Sequence, residues 1–148
     1  MKIYFDVCCW NRPFDGQSQN RVRLEAEAVL SILEMAESGE LEIIGSDIVD
    51  EELSEMPDHE KREKVELLLT LPSSHVSLTS TTERRAMELQ KWNIAPLDAL
   101  HLATAESVEA DWFLTTDDDL LRKAKRAGLK VKVENPAKWL IQQSTNES

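Results

Sequence analysis

The sequence predicts an α/β fold, a three-layer α/β/α sandwich with a five-stranded parallel sheet. Short apolar runs alternate along the chain with segments whose apolar residues recur at helical spacing. This alternation is typical of a parallel sheet, because each crossover between parallel strands needs a helix that covers one face. The 148 residues suit one domain with a substantial core. We expect that domain to span residues 1–143 and residues 144–148 to form a polar tail.

Five short runs rich in apolar or β-branched residues are predicted strands. They lie at residues 2–6, 41–46, 75–78, 112–115 and 130–133. Seven segments between and after them are predicted helices from their apolar stripes and terminal residues. Asp58 is a suitable N-cap, Pro96 suits a first turn, and Gly39 and Gly128 are stop signals. The helices lie at residues 21–37, 46–56, 58–71, 81–92, 96–108, 117–127 and 136–143.

The composition excludes several classes of protein. The formal net charge of −11 argues against a surface that binds nucleic acid by bulk electrostatics. The acids either keep the protein in solution or gather in a pocket that binds cations. No run of about 18 apolar residues occurs, so we expect no membrane span, and the N-terminus does not resemble a signal peptide. The adjacent Cys8 and Cys9 are expected to be reduced thiols, which indicates a cytoplasmic protein.

A carboxylate ends the first strand. In KIYFDVCCWN, residues 2–11, Asp6 interrupts an apolar run, and we expect Val7 to Trp10 to continue in the core. Ligands of parallel sheets bind at the carboxyl ends of the strands, near the point where the strand order reverses. Asp6 is therefore a candidate site residue. The alternative is a turn or cap residue that binds backbone N–H groups.

Two further acids lie where apolar residues are expected. Glu52 falls in the middle of the apolar stripe of the helix at 46–56, where a buried carboxylate needs a partner or a metal ion. Asp98 is the only formally charged residue of PLDALHLATA, residues 96–105. The alternatives are that Glu52 lies at the edge of the stripe or pairs with an arginine, and that Asp98 only stabilises a first helical turn. His101 shares a face with Asp98 and is more readily explained as a packing or hydrogen-bonding residue than as a ligand.

Three consecutive acids, Asp117 to Asp119, follow the fourth strand in LTTDDDLL. A capping box of Thr116 and Asp119 is the simpler interpretation. Three acids exceed what a cap requires, and a divalent cation would relieve the repulsion between like charges a few ångströms apart. Because the donors are oxygens without a spaced cysteine or histidine cluster, we expect Mg²⁺ or Mn²⁺ rather than Zn²⁺.

The order of these motifs resembles the PIN domain, a family of metal-dependent ribonucleases that includes the VapC-type toxins of toxin–antitoxin pairs. The resemblance rests on the strand that ends at Asp6 and on Glu52 in a helix that begins after a serine. It rests further on LDALHLATA around Asp98 and FLTTDDDLL around Asp117, which are its most specific blocks. The resemblance covers nearly the whole chain and implies the family's sheet order, 3-2-1-4-5.

The resemblance implies roles for these acids. One or two Mg²⁺ or Mn²⁺ ions are expected, held by four acids that are also the implied catalytic residues: Asp6, Glu52, Asp98 and Asp117. Asp119 is expected to share or replace the fourth role, since family members vary there. Thr115 matches a position that commonly supports this acid through its hydroxyl group.

The sequence departs from the family pattern near its start. Cys8 stands where the family often has Asn or Ser, and a thiol is a poor hydrogen-bonding substitute. Residues 10–19 are more polar than the usual start of the first helix, so Asn11 or Arg12 is a further candidate to line the site. The alternative for Arg12 is an exposed loop arginine.

The implied activity is that of an endoribonuclease that hydrolyses RNA phosphodiester bonds with water activated by a divalent cation. The implied partners are the RNA substrate, an antitoxin protein and a second copy of the chain. The alternative is a catalytically silent PIN module that binds RNA or a protein partner. Clusters of Lys and Arg at 83–91 and 122–132 are either RNA contacts or solvated surfaces, with lysines guarding an edge strand.

Overall fold

The computed structural model describes residues 1–146 of the chain. Its five strands form one all-parallel sheet in the order β3-β2-β1-β4-β5, with helices on both faces. This confirms the predicted fold class and the sheet order implied by the resemblance. The strands are β1 (Lys2–Phe5), β2 (Glu42–Ser46), β3 (Ser74–Val76), β4 (Trp112–Leu114) and β5 (Lys132–Glu134).

Eight α-helices and two 3₁₀ turns connect and flank these strands in the described part of the chain. Ser46 caps α3 by accepting a hydrogen bond from the Val49 backbone N–H at 3.1 Å, and Asp58 caps α4 as predicted. The helices are α1 (Val7–Asn11), α2 (Asn20–Glu37), α3 (Asp47–Ser54), α4 (His59–Leu68), α5 (Ser80–Leu89), α6 (Pro96–Ser107), α7 (Asp118–Arg126) and α8 (Pro136–Asn146). The 3₁₀ turns are Arg12–Phe14 and Gln90–Trp92.

Three details differ from the sequence expectations. Helix α1 and the 3₁₀ turn after it were not predicted, because five residues are too few to show a helical period. The N-cap of α7 is Asp117, so the capping box of Thr116 and Asp119 was wrong. Helix α8 continues to Asn146, beyond the expected end at residue 143. Of the expected polar tail, residues 147–148 lie outside the described residues.

The core is centred on β1, which is buried on both faces of the sheet. Ile3, Tyr4 and Phe5 are fully buried, as expected for the middle strand of a parallel sheet. Tyr4 stacks on Phe113 of β4 with ring centroids 5.4 Å apart, and Phe5 meets Trp10 edge to face at 5.3 Å. Val7, Cys9 and Trp10 are buried beneath the end of β1, which confirms that the core continues past Asp6.

The carboxyl ends of β1 and β4 lie side by side at the point where the strand order reverses. The Asp6 backbone N–H donates to the Leu114 carbonyl at 3.0 Å. Connections from β1 run toward β2 and β3, whereas β4 and β5 lie on the other side, so a crevice opens at this edge. Within residues 1–146, no helix is long and apolar enough to cross a membrane.

Helix α8 gives a test of the packing. Trp139 is fully buried where α8 packs on α2, and replacing a buried tryptophan with alanine typically costs about 3–5 kcal/mol. We expect Trp139→Ala to lower the free energy of unfolding by about that amount in urea titrations. Ile141 is 67% exposed on the same helix, so Ile141→Ala should change it by less than about 0.5 kcal/mol. Equal effects would show that α8 is not docked as described.

Candidate metal centre

Asp6 is held rigidly at the end of β1. Its carboxylate is almost fully buried; Oδ1 accepts from the Val7 backbone N–H at 2.9 Å and so caps α1. Oδ2 accepts from the Thr115 hydroxyl at 2.8 Å. Burial raises the pKa of Asp6, while His101 and the hydrogen bonds from Thr115, Cys8 and Val7 act to lower it. Asp6 is therefore a cap, and its second oxygen faces the neighbouring strand end.

Thr115 connects Asp6 to Asp117. Its hydroxyl donates to Asp6 and accepts from the Asp117 backbone N–H at 3.2 Å. Cys8 lies against the same group, with Sγ 3.5 Å from both Asp6 Oδ2 and Thr115 Oγ1 and accepting from the Thr116 N–H at 3.4 Å. The thiol thus occupies the supporting position, with the long and weak contacts that sulfur makes.

Asp98 meets the other acids across the crevice. It lies half-buried in the first turn of α6. Burial, and then the negative charges of Asp6, Asp117 and Glu52, raise its pKa to about 6, and His101 acts in the opposite direction. Within residues 1–146, the Asp98 side chain has no hydrogen bond or ion pair. The fold therefore brings Asp6, Asp117 and Glu52 within electrostatic reach of Asp98 and leaves Asp98 without an ion-pair partner within residues 1–146.

A buried hydrogen-bond chain holds Glu52. Its Oε1 lies 3.0 Å from His101 Nε2, and His101 Nδ1 lies 2.7 Å from the Tyr4 hydroxyl. The Tyr4 hydroxyl lies 2.8 Å from that of Ser46, which caps α3. His101 joins Glu52 to the Tyr4 hydroxyl through its two ring nitrogens, so every side chain of this series has a hydrogen-bond partner. His101 is thus a hydrogen-bonding residue, as the sequence favoured.

Glu52 is not directed into the core, contrary to the central position in the apolar stripe that the sequence indicated. Its side chain is 31% exposed, and its partner is His101 rather than an arginine. The chain of hydrogen bonds behind it was missed by sequence reasoning. The sequence shows Ser46 directly before α3 and Tyr4 between the apolar residues Ile3 and Phe5, but nothing in it indicates that Ser46 and Tyr4 meet.

Three other candidates form no hydrogen bond or ion pair with the four acids through their side chains within residues 1–146. Asp119 pairs with Arg122 at 2.5 Å and Lys123 at 2.9 Å on its own helix. Arg12 pairs with Asp15 and Glu25, at 3.0 and 2.9 Å. Asn11 Oδ1 is buried and has no hydrogen-bond partner within residues 1–146.

The donor set of the crevice fits a hard divalent cation. All four acids offer oxygen, which Mg²⁺ and Mn²⁺ prefer, and their mutual repulsion is what such an ion relieves. A different group, Asp47, Asp50 and His75, has ligand atoms all within 4.8 Å of one another, at the exposed outer edge of the sheet. The acids of the crevice are more widely spread than this group. His75 already pairs with Asp50 at 2.9 Å, which explains the closeness of the outer group without an ion.

The model of the PIN domain family matches residues 3–126. The chain belongs to the PIN domain family. Members of this family are generally nucleases. No curated protein matches the chain. Among solved structures, a chain of VapBC2 from Rickettsia felis, bound to a DNA fragment from its promoter, is 18% identical with a TM-score of 0.61. The alignment covers 91% of this chain and 98% of that chain, which shows a shared PIN fold.

The raised pKa of Asp98 predicts a stability effect of known sign. Its folded pKa of about 6 lies above the ordinary value of 3.8, so the folded state holds a proton that the unfolded chain releases between these values. The free energy of unfolding of the wild type, compared with that of Asp98→Asn, should therefore fall as the pH rises from about 4 to 6 and stay lower above that range. In EDTA at pH 7 we expect Asp98→Asn to be more stable by about 1 kcal/mol, a figure discounted for solvent screening.

Asp119→Asn is the matched control for this measurement. Its partners Lys123 and Arg122 hold the pKa of Asp119 below its ordinary value, so the substitution removes a favourable charge and should not stabilise the protein at pH 7. The measurement is urea unfolding in EDTA from pH 4 to pH 8. If Asp98→Asn is no more stable than the wild type at pH 7, the carboxylates do not repel one another as the structure indicates.

Proposed function

We propose that this PIN domain is an Mg²⁺- or Mn²⁺-dependent endoribonuclease that hydrolyses RNA phosphodiester bonds. The observation that carries the proposal is the state of the Asp98 carboxylate. Three other acids help to raise its pKa, and no basic side chain within residues 1–146 forms an ion pair with it. Unneutralised acids at the switch point of a parallel sheet are costly, and a nuclease uses such a group to hold cations against a phosphate. The site residues are Asp6, Glu52, Asp98 and Asp117.

We assign the fourth position to Asp117 rather than Asp119. Asp117 acts on Asp98, whereas Asp119 is paired with Arg122 and Lys123. Asp117 Oδ1 caps α7 by accepting from the Asp119 and Leu120 backbone N–H groups, which leaves Oδ2 open. Thr115 is a positioning residue, because its hydroxyl binds both Asp6 and the backbone of Asp117.

Each acid has a distinct part in the proposed site. A bound Mg²⁺ or Mn²⁺ would neutralise charge on the phosphate and lower the pKa of water. Asp6, Asp98 and Asp117 would hold the cation with oxygens that are not used in capping. Glu52 is fixed through Oε1 by His101, so its other oxygen is oriented to accept a proton from the attacking water.

The proposal includes a biological context. The PIN fold shared with a chain of VapBC2 supports the hypothesis that this protein is the toxin of a toxin–antitoxin pair, with an antitoxin as its protein partner. A catalytically silent PIN module that binds RNA or a protein is the alternative. The two functions differ in whether the acids are needed for turnover.

Metal binding should appear as thermal stabilisation. A ligand that binds only the folded state raises stability by mass action, about 2.7 kcal/mol at a hundredfold excess over Kd. We expect millimolar Mn²⁺, relative to EDTA, to raise the melting temperature of the wild type and of Asp119→Asn, and Asp98→Asn to lose most of this response. Mg²⁺ is measured in parallel. If Asp98→Asn retains the full rise in melting temperature, the metal binds outside the crevice.

RNA cleavage should depend on the same residues as metal binding. With Mn²⁺, the wild type is expected to cut single-stranded RNA, and EDTA should abolish the cutting. Asp98→Asn should lower the rate by about 10²–10³-fold, the scale at which removing one group that stabilises a transition-state charge acts. Asp119→Asn should stay within about threefold of the wild type. Metal-dependent stabilisation without any cleavage would favour the silent module.

A further inference from the structure

A groove lies beside the candidate metal centre, between α2, α7 and the start of α8. It encloses about 630 Å³. Four basic residues, Arg21, Arg122, Lys125 and Lys138, line it together with two acids, Glu25 and Asp118. A local excess of positive charge is notable in a chain with a formal net charge of −11.

Both acids of the groove are already neutralised. Glu25 is buried and accepts from Arg12, Arg21 and Asn135, at 2.9, 3.1 and 2.6 Å. Asp118 receives two hydrogen bonds from Arg21, both 2.7 Å. Lys138 and Arg122 help to hold the pKa of Asp118 below its ordinary value, but within residues 1–146 neither they nor Lys125 form an ion pair with these two carboxylates.

Lys125 and Lys138 are the least engaged of the four cations. Both are exposed, and within residues 1–146 neither side chain has an ion-pair partner. Arg122 pairs with Asp119, which lies in the first turn of the same helix, α7. The groove therefore presents two free ammonium groups and one guanidinium toward solvent, an arrangement suited to successive phosphates of a chain.

The groove begins next to Asp117, one of the acids of the crevice. Helix α7 begins directly after Asp117, and its residues Asp118, Arg122 and Lys125 line the groove. Arg21 also donates to the Thr116 carbonyl at 3.2 Å, next to Asp117. A strand whose phosphate lies at Asp117 would therefore have the groove beside it.

An apolar surface accompanies the charges. Leu24 is 56% exposed on α2 and lines the groove with Leu121. A nucleotide offers an anionic phosphate and a flat, largely apolar base face, so it matches both parts of the groove. A free phosphate would leave the leucine surface unused.

We propose that this groove binds the phosphate backbone of single-stranded RNA next to the scissile bond, through Lys125, Lys138 and Arg122. The inference rests on the proposed nuclease function and adds the path of its substrate. It also divides the basic segment 122–132. Arg122 and Lys125 face the groove, whereas Lys130 and Lys132 line a pocket with Met1 and Asp111, at the amino ends of the strands.

The test is a double charge reversal with a matched control. Lys125→Glu/Lys138→Glu alters the groove, and Arg84→Glu/Lys91→Glu alters two equally exposed cations of the 83–91 cluster by the same charge. We expect the groove variant to raise KM for a 20-nucleotide single-stranded RNA about tenfold, and to make the negative slope of log affinity against log salt shallower by about 1.4. The control should change KM less than threefold.

A small phosphodiester separates the groove from the chemistry. Hydrolysis of bis(p-nitrophenyl) phosphate with Mn²⁺ needs only the acids, so the groove variant should retain it. Lys125→Gln/Lys138→Gln provides a neutral variant if charge reversal impairs folding, and it should raise KM in the same direction. Equal losses of RNA affinity in the groove and control variants, or none in either, would overturn the proposal.

Two further readouts keep the inference independent of the proposed function. If the wild type hydrolyses neither substrate, the nuclease proposal fails, and RNA binding is measured by fluorescence anisotropy. Binding lost in the groove variant alone then supports the groove, and equal binding in both variants overturns it. A polyglutamate of equal charge is the competitor. Competition as strong as that of RNA would assign the groove to an acidic protein partner and contradict our proposal.

Discussion

Repulsion among carboxylates at the carboxyl edge of the sheet is the physical constraint on which the candidate site depends. The parallel topology brings the ends of β1 and β4 together, and α6 adds Asp98 to the same crevice. The cost is visible in the pKa of Asp98, which burial and three neighbouring acids raise to about 6. A carboxyl group with a pKa raised in this way is typical of a functional site, and a divalent cation would relieve the repulsion.

Capping does not use every carboxylate oxygen in this crevice, although the sequence presents capping and metal binding as alternatives. Asp6 uses Oδ1 to cap α1 and Asp117 uses Oδ1 to cap α7. In each case the cap uses one oxygen, and the second oxygen takes no part in capping; that of Asp6 accepts a hydrogen bond from Thr115. Glu52 likewise uses one carboxylate oxygen, Oε1, in its hydrogen bond with His101, and its other oxygen has no hydrogen-bond partner within residues 1–146. The helix caps therefore act as supports that orient the site.

Much of this arrangement follows from local sequence, and the remainder depends on contacts between distant residues. The strands were predictable because β1 and β4 are buried on both faces, so their apolar residues are contiguous. Asp6 and Asp98 could be identified as acids in apolar surroundings. The pairing of Glu52 with His101 could not, because it joins residues 49 apart in sequence. Asp117 and Asp119 are equivalent in sequence, and Arg122 and Lys123 distinguish them only on the folded helix.

The location of bound metal is the most direct test of the account. Crystals of the protein soaked in Mn²⁺ would give anomalous scattering that places the ion without reference to activity. We predict a peak in contact with Asp6, Asp98 and Asp117, within reach of Glu52. A peak only at the compact outer group of Asp47, Asp50 and His75 would contradict the assignment, because it would show that charge repulsion in the crevice is not relieved by a cation.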